Sequence, residues 1–239
     1  MSAKFEGRVV LVAGGTGGLG RAVALAFLEE GAKIVVTYRA QEEFDALRNL
    51  TVTNGSNLEG HTVDVTDEVG ARQLVEKILA KHRALDAMVN AVGGYAGGTK
   101  LWELETKVFD QMLTLNLRAG YALARAAVRA MLKVGRGSIV NIAAKAAFDH
   151  AAGAAAYAAS KSAAVALMDS LAADLKGSGV RVNTILPSII DTVANRKAMP
   201  AADFSKWPKL EDIARVILFL CSDDVRVIHG AAIPVYGDS

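Results

Sequence analysis

Tyr157-Ala-Ala-Ser-Lys161 sets a phenol and an ammonium four residues apart, on one face of the segment if it is helical. A phenol with a pKa near ~10 is a poor proton relay at neutral pH, and an adjacent cation stabilises its anion. The pair therefore suits proton transfer to or from a reacting atom. Lys161 is also suited to hold the hydroxyls of a nicotinamide ribose. The plain alternative is a contact on a helix surface, because tyrosine and lysine often fall at this spacing by chance.

A second stretch, far upstream, raises the pair above that alternative. Ala13 to Gly20 reads AGGTGGLG directly after a short apolar run. A dinucleotide pyrophosphate needs a tight turn, a close backbone approach and a helix packed hard on its sheet. Gly14, Gly18 and Gly20 stand where those three demands fall. Gly17 and Leu19 complete the cradle, in which free N–H groups at a helix start offer an anion site. Thr16 serves either as helix cap or as phosphate contact. An acid after the second strand would hold the adenosine ribose and favour NAD, but Tyr38-Arg39 stands there instead. Arg39 suits a 2′-phosphate and Tyr38 the flank of an adenine, which favours NADP over NAD; a solvent-facing arginine is the alternative. Asp64 and Val65 follow a third strand and would hold the adenine through side chain or backbone. Asn90, Ala91, Val92 and Gly93 would line the same cleft.

The hydrophobic pattern supplies the elements that must position these residues. Arg8 to Val12 is an apolar run without alternation, as a parallel strand covered on both faces requires. Leu19 to Glu30 repeats apolar residues at helical spacing and ends at Gly31, and Ile34 to Thr37 returns as a strand. The alternation predicts helices over 41–50, 69–79, 109–134, 154–175 and 210–220. It predicts strands over 58–63, 86–90, 137–142, 180–185 and 231–235, with a polar turn over 54–60. Such a series calls for one α/β domain of Rossmann type, a doubly wound parallel sheet with helices on both faces.

Composition excludes other classes. With 52% hydrophobic residues and a net charge of +2, the chain is not disordered. A single cysteine, Cys221, excludes a disulfide scaffold and fits a reducing cytoplasm. The 27 Lys+Arg against 25 Asp+Glu form no basic block for nucleic acid. The apolar run near the N-terminus is too short for a signal peptide, and no window reaches the roughly 20 apolar residues of a membrane span. Four histidines and one cysteine are too scattered for a metal site. Alanine-rich long helices favour a homo-oligomer, although good helix propensity explains each alanine as well.

The glycine loop, Asn90, Asn116, Tyr157 with Lys161, and Arg181 to Thr192 together resemble the short-chain dehydrogenase/reductase family over the whole chain. The resemblance implies that Tyr157 gives or takes the proton, that Lys161 lowers its pKa, and that Asn116 helps hold a water relay. It places Pro187, Ile189 and Thr192 against the nicotinamide and implies a homodimer or homotetramer. Three positions depart from the family pattern: Ala13 for threonine, Asn90-Ala91 for paired asparagines, and Pro187-Ser188 for proline-glycine. A fourth is chemical, because Ala144 stands where a serine would hydrogen-bond the substrate carbonyl. The quinonoid dihydropteridine reductase subgroup also carries alanine there, and AKAAFD from Ala144 to Asp149 resembles its segment. So do GGYAGG from Gly93 to Gly98 and the run from Leu186 to Trp207. This resemblance implies hydride transfer from NAD(P)H to a small acceptor, a quinonoid dihydropterin being one candidate, with 186–209 as a substrate lid. Tyr95, Ala144, Lys145 and Met199 are the candidate substrate contacts, Lys145 facing either cleft or solvent. A carbonyl or 3-oxoacyl reductase and an inactive nucleotide-binding regulator are the alternatives.

Overall fold

The computed structural model describes residues 3–51 and 55–238. Its first strand, β1 (Val9–Ala13), is buried at every residue, which is why its sequence shows no alternation. Around it lie β2 (Lys33–Tyr38), β3 (Leu58–Thr62), β4 (Ala87–Asn90), β5 (Gly137–Ile142), β6 (Val180–Pro187) and β7 (Ala232–Val235). They form one sheet in the order β3-β2-β1-β4-β5-β6-β7 with every pairing parallel. The chain winds outward in both directions from β1, so a crevice opens between the C-terminal ends of β1 and β4, where such sheets bind ligands.

Helices α1 (Gly18–Glu29), α2 (Gln41–Asn49) and α8 (Leu210–Cys221) cover one face, where Val23, Phe27, Leu47, Ile213 and Ile217 pack on Val10 and Val12. Helices α3 (Glu68–His82), α5 (Ala119–Val134) and α6 (Ala155–Asp174) cover the other, where Leu74, Leu123, Ala127 and Met168 pack on Leu11 and Ile139. Local signals end these helices as expected. Asp67 caps α3 by accepting from the Gly70 N–H, and Gly135 stops α5 at φ +64°. The edge strand β3 is half-buried along most of its length, consistent with its polar sequence LEGHT. Of the expected polar turn, Asn54 lies outside the described residues, and Leu58 to Gly60 already belong to β3.

One region differs from expectation. The helix expected over 109–134 begins earlier, as α4 (Thr106–Leu113), and widens into a π-helical turn over Thr114–Arg118 before α5. The segment expected as a lid contains short regular elements. Thr192 caps a short helix, α7 (Val193–Ala198), and a 3₁₀ turn follows at Phe204–Lys206. Among the described residues no helix is long and apolar enough to cross a membrane.

Candidate active site

The glycine cradle is shaped by what its residues lack. Gly14 has φ +72°, and a side chain there would crowd Ala91 and Val92 at 3.2 Å, so a bare Gly14 lets the turn after β1 lie close against the segment after β4. A Cβ on Gly20 would lie 2.1 Å from the Gly14 carbonyl oxygen, which forces glycine where α1 turns onto the sheet. The Gly14 N–H donates to Thr37 Oγ1 at 2.9 Å, pinning the turn to β2. Thr37 was not foreseen as a site residue; its one signal was a hydroxyl near the end of an otherwise apolar strand. The cap of α1 is Gly17, and the Thr16 hydroxyl instead donates to Glu43 at 2.9 Å, which corrects the capping expectation. Leu19 is buried beneath the cradle.

At the end of β2, Tyr38 stacks on Phe44 with ring centroids 4.9 Å apart and donates to Gln41. Arg39 is exposed beside it, and its positive field helps lower the Asp64 pKa, after the larger effect of hydrogen bonds from Thr66. Arg39 and Asp64 thus lie within electrostatic reach of one another near the β2 and β3 ends, and Val65 is buried.

Across the crevice, Asn90 is buried, donates to Asn141 Oδ1 at 2.8 Å and accepts from the Val92 N–H at 3.2 Å. The π-helical turn puts Asn116 over the following loop. Asn116 Oδ1 accepts from the Gly94 N–H at 2.9 Å, while Nδ2 donates to the Gly94 carbonyl and to Ser160 Oγ, each at 3.0 Å. Such widened turns commonly present functional side chains. Ser160 in turn donates to the Tyr157 carbonyl at 2.8 Å, so it ties Asn116 to the first turn of α6. It too was missed, though it lies inside the Tyr157–Lys161 segment. A side chain at Gly93 would come within 2.8 Å of Asn116 Oδ1 and 3.2 Å of Lys161 Nζ. Loop, asparagine and lysine therefore meet at one point.

Lys161 is buried and donates to the Ile142 carbonyl at 3.1 Å, with Nζ 5.9 Å from the centroid of the Tyr157 ring. Burial pulls the lysine down to about 8. Burial, followed by the neighbouring Tyr95, pushes Tyr157 up to about 12, against the expectation that the lysine lowers it. In this arrangement the ammonium lies against the carbonyl and the ring rather than the phenol oxygen, so desolvation outweighs charge. Tyr95 is 71% exposed and meets Tyr157 edge-on at 4.9 Å.

Ala144 presents a buried methyl group at the start of a 3₁₀ turn over Lys145–Ala147, which Ser162 binds to α6 through a 2.7 Å bond to the Ala147 carbonyl. The Lys145 Nζ lies 5.2 Å over the Tyr236 ring and 3.8 Å from Asp149. His150 bonds the Ala147 carbonyl at 3.2 Å. Beyond β6, Pro187 is buried, Ile189 is exposed, and the Thr192 methyl lies 3.2 Å from the point where a Gly18 side chain would begin. Met199 ends α7 half-buried, while Phe204 packs on Trp207 and beneath Arg196. Among the described residues no group of His, Cys, Asp and Glu is arranged to hold a metal ion.

A parallel sheet whose winding reverses between β1 and β4, a glycine cradle at that point and a tyrosine–lysine pair on α6 define a nucleotide-dependent oxidoreductase fold. The family model described as short chain dehydrogenase matches residues 8–203, and the chain belongs to that family as an NAD(P)-dependent oxidoreductase. It is 28% identical to 3-oxoacyl-(acyl-carrier-protein) reductase FabG of Thermotoga maritima, covering 98% of both chains. It is 31% identical to D-threitol dehydrogenase of Mycolicibacterium smegmatis, covering 98% of this chain and 93% of that one. Among solved structures, ElxO with NADP bound superposes with a TM-score of 0.91 at 28% identity, over 96% of this chain and 97% of that one.

Proposed function

We propose that the protein is an NADPH-dependent reductase of a flat, conjugated acceptor of the quinonoid dihydropterin type. The observations that carry this reading are the exposed aromatic ring of Tyr95 against Tyr157 and the methyl group of Ala144 at the position where the family pattern has a serine. A simple ketone concentrates negative charge on one oxygen as it is reduced and gains most from a hydroxyl gripping that oxygen. A quinonoid ring spreads its electron deficiency over several atoms, so such a grip matters less, and a flat ring gains from aromatic surface.

The cradle fits a dinucleotide, since glycine at 14 and 20 lets the turn pack against Ala91 and the start of α1, and glycine at 17 and 18 puts no side chain over the turn. Gly14, Gly17 and Gly18 would hold the pyrophosphate, Arg39 the 2′-phosphate, and Asp64 and Val65 the adenine. Asn90 to Gly93, Pro187, Ile189 and Thr192 would line the nicotinamide end. When bound, the cofactor supplies a hydride. Tyr157 donates the accompanying proton from its hydroxyl. Lys161, which carries its charge below pH about 8, supports the resulting phenolate, and Asn116 with Ser160 holds the first turn of α6 in place. The 186–209 segment covers the acceptor side, with Met199 on its inner turn. The resemblance of this segment and of the AKAAFD turn to the pterin-reducing subgroup supports the same reading.

A second reading, reduction of a 3-oxoacyl or other carbonyl group, is favoured by the names of the relatives. Turnover of chemically generated quinonoid dihydropterin and of an acetoacetyl thioester, each with NADH and NADPH, separates the two. Rapid pterin turnover, faster with NADPH and lost in Tyr157→Phe, is expected. Turnover of the thioester alone overturns the pterin assignment.

A further inference from the structure

We propose that the C-terminal segment from Tyr236 to Asp238 is a clasp that fixes both feet of the 188–208 excursion and thereby sets acceptor binding. The proposal rests on reading that excursion as the cover of the acceptor side. The sheet supplies the starting point: β6 and β7 run in register to the pair Pro187↔Val235, and both strands end there. The next residue of each is joined by a side chain, Ser188 Oγ donating to the Tyr236 carbonyl at 2.7 Å. Two residues on, the Asp238 N–H donates to the Lys206 carbonyl at 3.1 Å, at the far foot of the excursion. The feet also bind each other, the Asp191 N–H donating to the Pro208 carbonyl at 3.2 Å.

Gly237 makes the close passage possible. It has φ +63°, and a Cβ there would lie 2.9 Å from the Lys206 oxygen and 3.0 Å from the Pro208 nitrogen. The Tyr236 ring faces the other way, packing with Ala143, Ala147 and Leu186 under the Lys145 ammonium. One short segment therefore touches the turn after Ala144, the entry of the excursion and its exit. Between those feet, α7 is exposed and held chiefly by contacts within the excursion itself, Arg196 with Asp191 and Phe204 among them. Its position follows from where the feet stand. Ser188 is the position at which the proline-glycine of the family pattern is replaced, and its hydroxyl is the atom that ties the near foot. Ser188 and Tyr236 are thus positioning residues.

The test compares Ser188→Ala, Ser188→Thr and a chain ending at Tyr236 with the intact protein. Trypsin cleavage after Arg196 or Lys197, with and without NADPH, reads the mobility of the cover. Steady-state kinetics with quinonoid dihydropterin and with the acetoacetyl thioester read acceptor binding. Loss of one such hydrogen bond in Ser188→Ala is expected to speed cleavage and raise the acceptor KM by about fivefold. The expected change in kcat is less than about twofold, because the bond is not one made to the transition state. Ser188→Thr keeps the hydroxyl and restores both readouts, and the chain ending at Tyr236 reproduces the loss. Unchanged cleavage in both Ser188→Ala and the shortened chain overturns the clasp, as does a fall in kcat at constant KM. If neither acceptor is turned over, the Proposed function fails and cleavage alone decides the clasp.

Discussion

Around the glycine cradle, shape comes from missing side chains and backbone contacts: Gly14 crowds Ala91, and Gly20 leaves 2.1 Å between its absent Cβ and the Gly14 oxygen. Around Tyr157, by contrast, shape comes from side chains bonded to distant backbone and to one another: Asn116 to Gly94 and Ser160, Lys161 to Ile142, Tyr95 against Tyr157. The first arrangement tolerates little at Gly14 and Gly20, since an atom added there meets backbone. The second holds its polar atoms firmly and leaves its outer parts, Tyr95 and the excursion, open to change. Such a division lets one cofactor fold serve many acceptors, and it explains why family membership alone leaves the acceptor undecided.

The largest effect that would test this division falls on the side-chain-built half. Tyr157→Phe is expected to lower kcat by about a hundred- to ten-thousandfold, the usual range for a lost proton donor. NADPH affinity, read by fluorescence titration, should hardly move. An equal loss of cofactor binding would mean that the two halves are not separable. The next largest falls on the backbone-built half. Gly20→Ala forces a methyl group against the Gly14 carbonyl and is expected to cost about 3 kcal/mol of stability in urea unfolding, the upper part of the range for overpacking. Retention of full stability would show that the cradle yields, and that its shape is less fixed by the absent Cβ than the 2.1 Å separation implies.

The division also decides what could be read from sequence. The cradle was legible because its demands are backbone demands that only glycine meets, and β1 was legible because an unbroken apolar run in a βαβ setting has few other uses. Tyr157 and Lys161 were legible as a spacing. Their electrostatics were not, because the direction of Lys161 depends on the Ile142 carbonyl, contributed by another strand. The π-helical turn around Asn116 has no local signal in TLNLR, which contains no glycine or proline. Its side chain is held by Gly94 and Ser160, both distant in sequence. The Thr16 hydroxyl is taken by Glu43, and Lys145 is drawn to Tyr236, ninety-one positions further on. Each miss is a polar side chain whose partner comes from elsewhere in the chain, a choice local pattern cannot fix.

A smaller change sharpens the comparison at its chemical margin. Arg39 is exposed, so solvent moderates what its charge contributes, and Arg39→Ala is expected to weaken NADPH binding by about tenfold. NADH binding should stay constant. Parallel titrations check this, and an equal loss for both cofactors would detach Arg39 from the 2′-phosphate.

The smallest expected effect lies at the outer edge of the cofactor half, where Glu59 on β3 accepts from Lys81 at 2.7 Å and pairs with His61 at 2.7 Å and His82 at 3.0 Å. Burial by itself raises the carboxyl pKa, but the bonds from Lys81, His82 and His61 outweigh it and bring the group down to about 2. A carboxylate lowered in the folded state contributes stability above its unfolded pKa and loses it as pH falls through the folded one. The contribution of Glu59 is therefore complete above pH about 4.5 and lost on descent towards about 2. Glu59→Gln removes the charge that these bonds favour. At neutral pH it should cost about 1 kcal/mol, the lower end for bonds to a charged group, since Lys81 is largely exposed. Urea unfolding at stepped pH should show the variant and the parent converging as the pH drops through that window. Because among the described residues β3 pairs only with β2, amide exchange on acidification should rise first in β3 and the neighbouring end of α3, while β4 to β6 stay protected. Uniform exchange across the sheet would place the acid-sensitive step in the acceptor half instead.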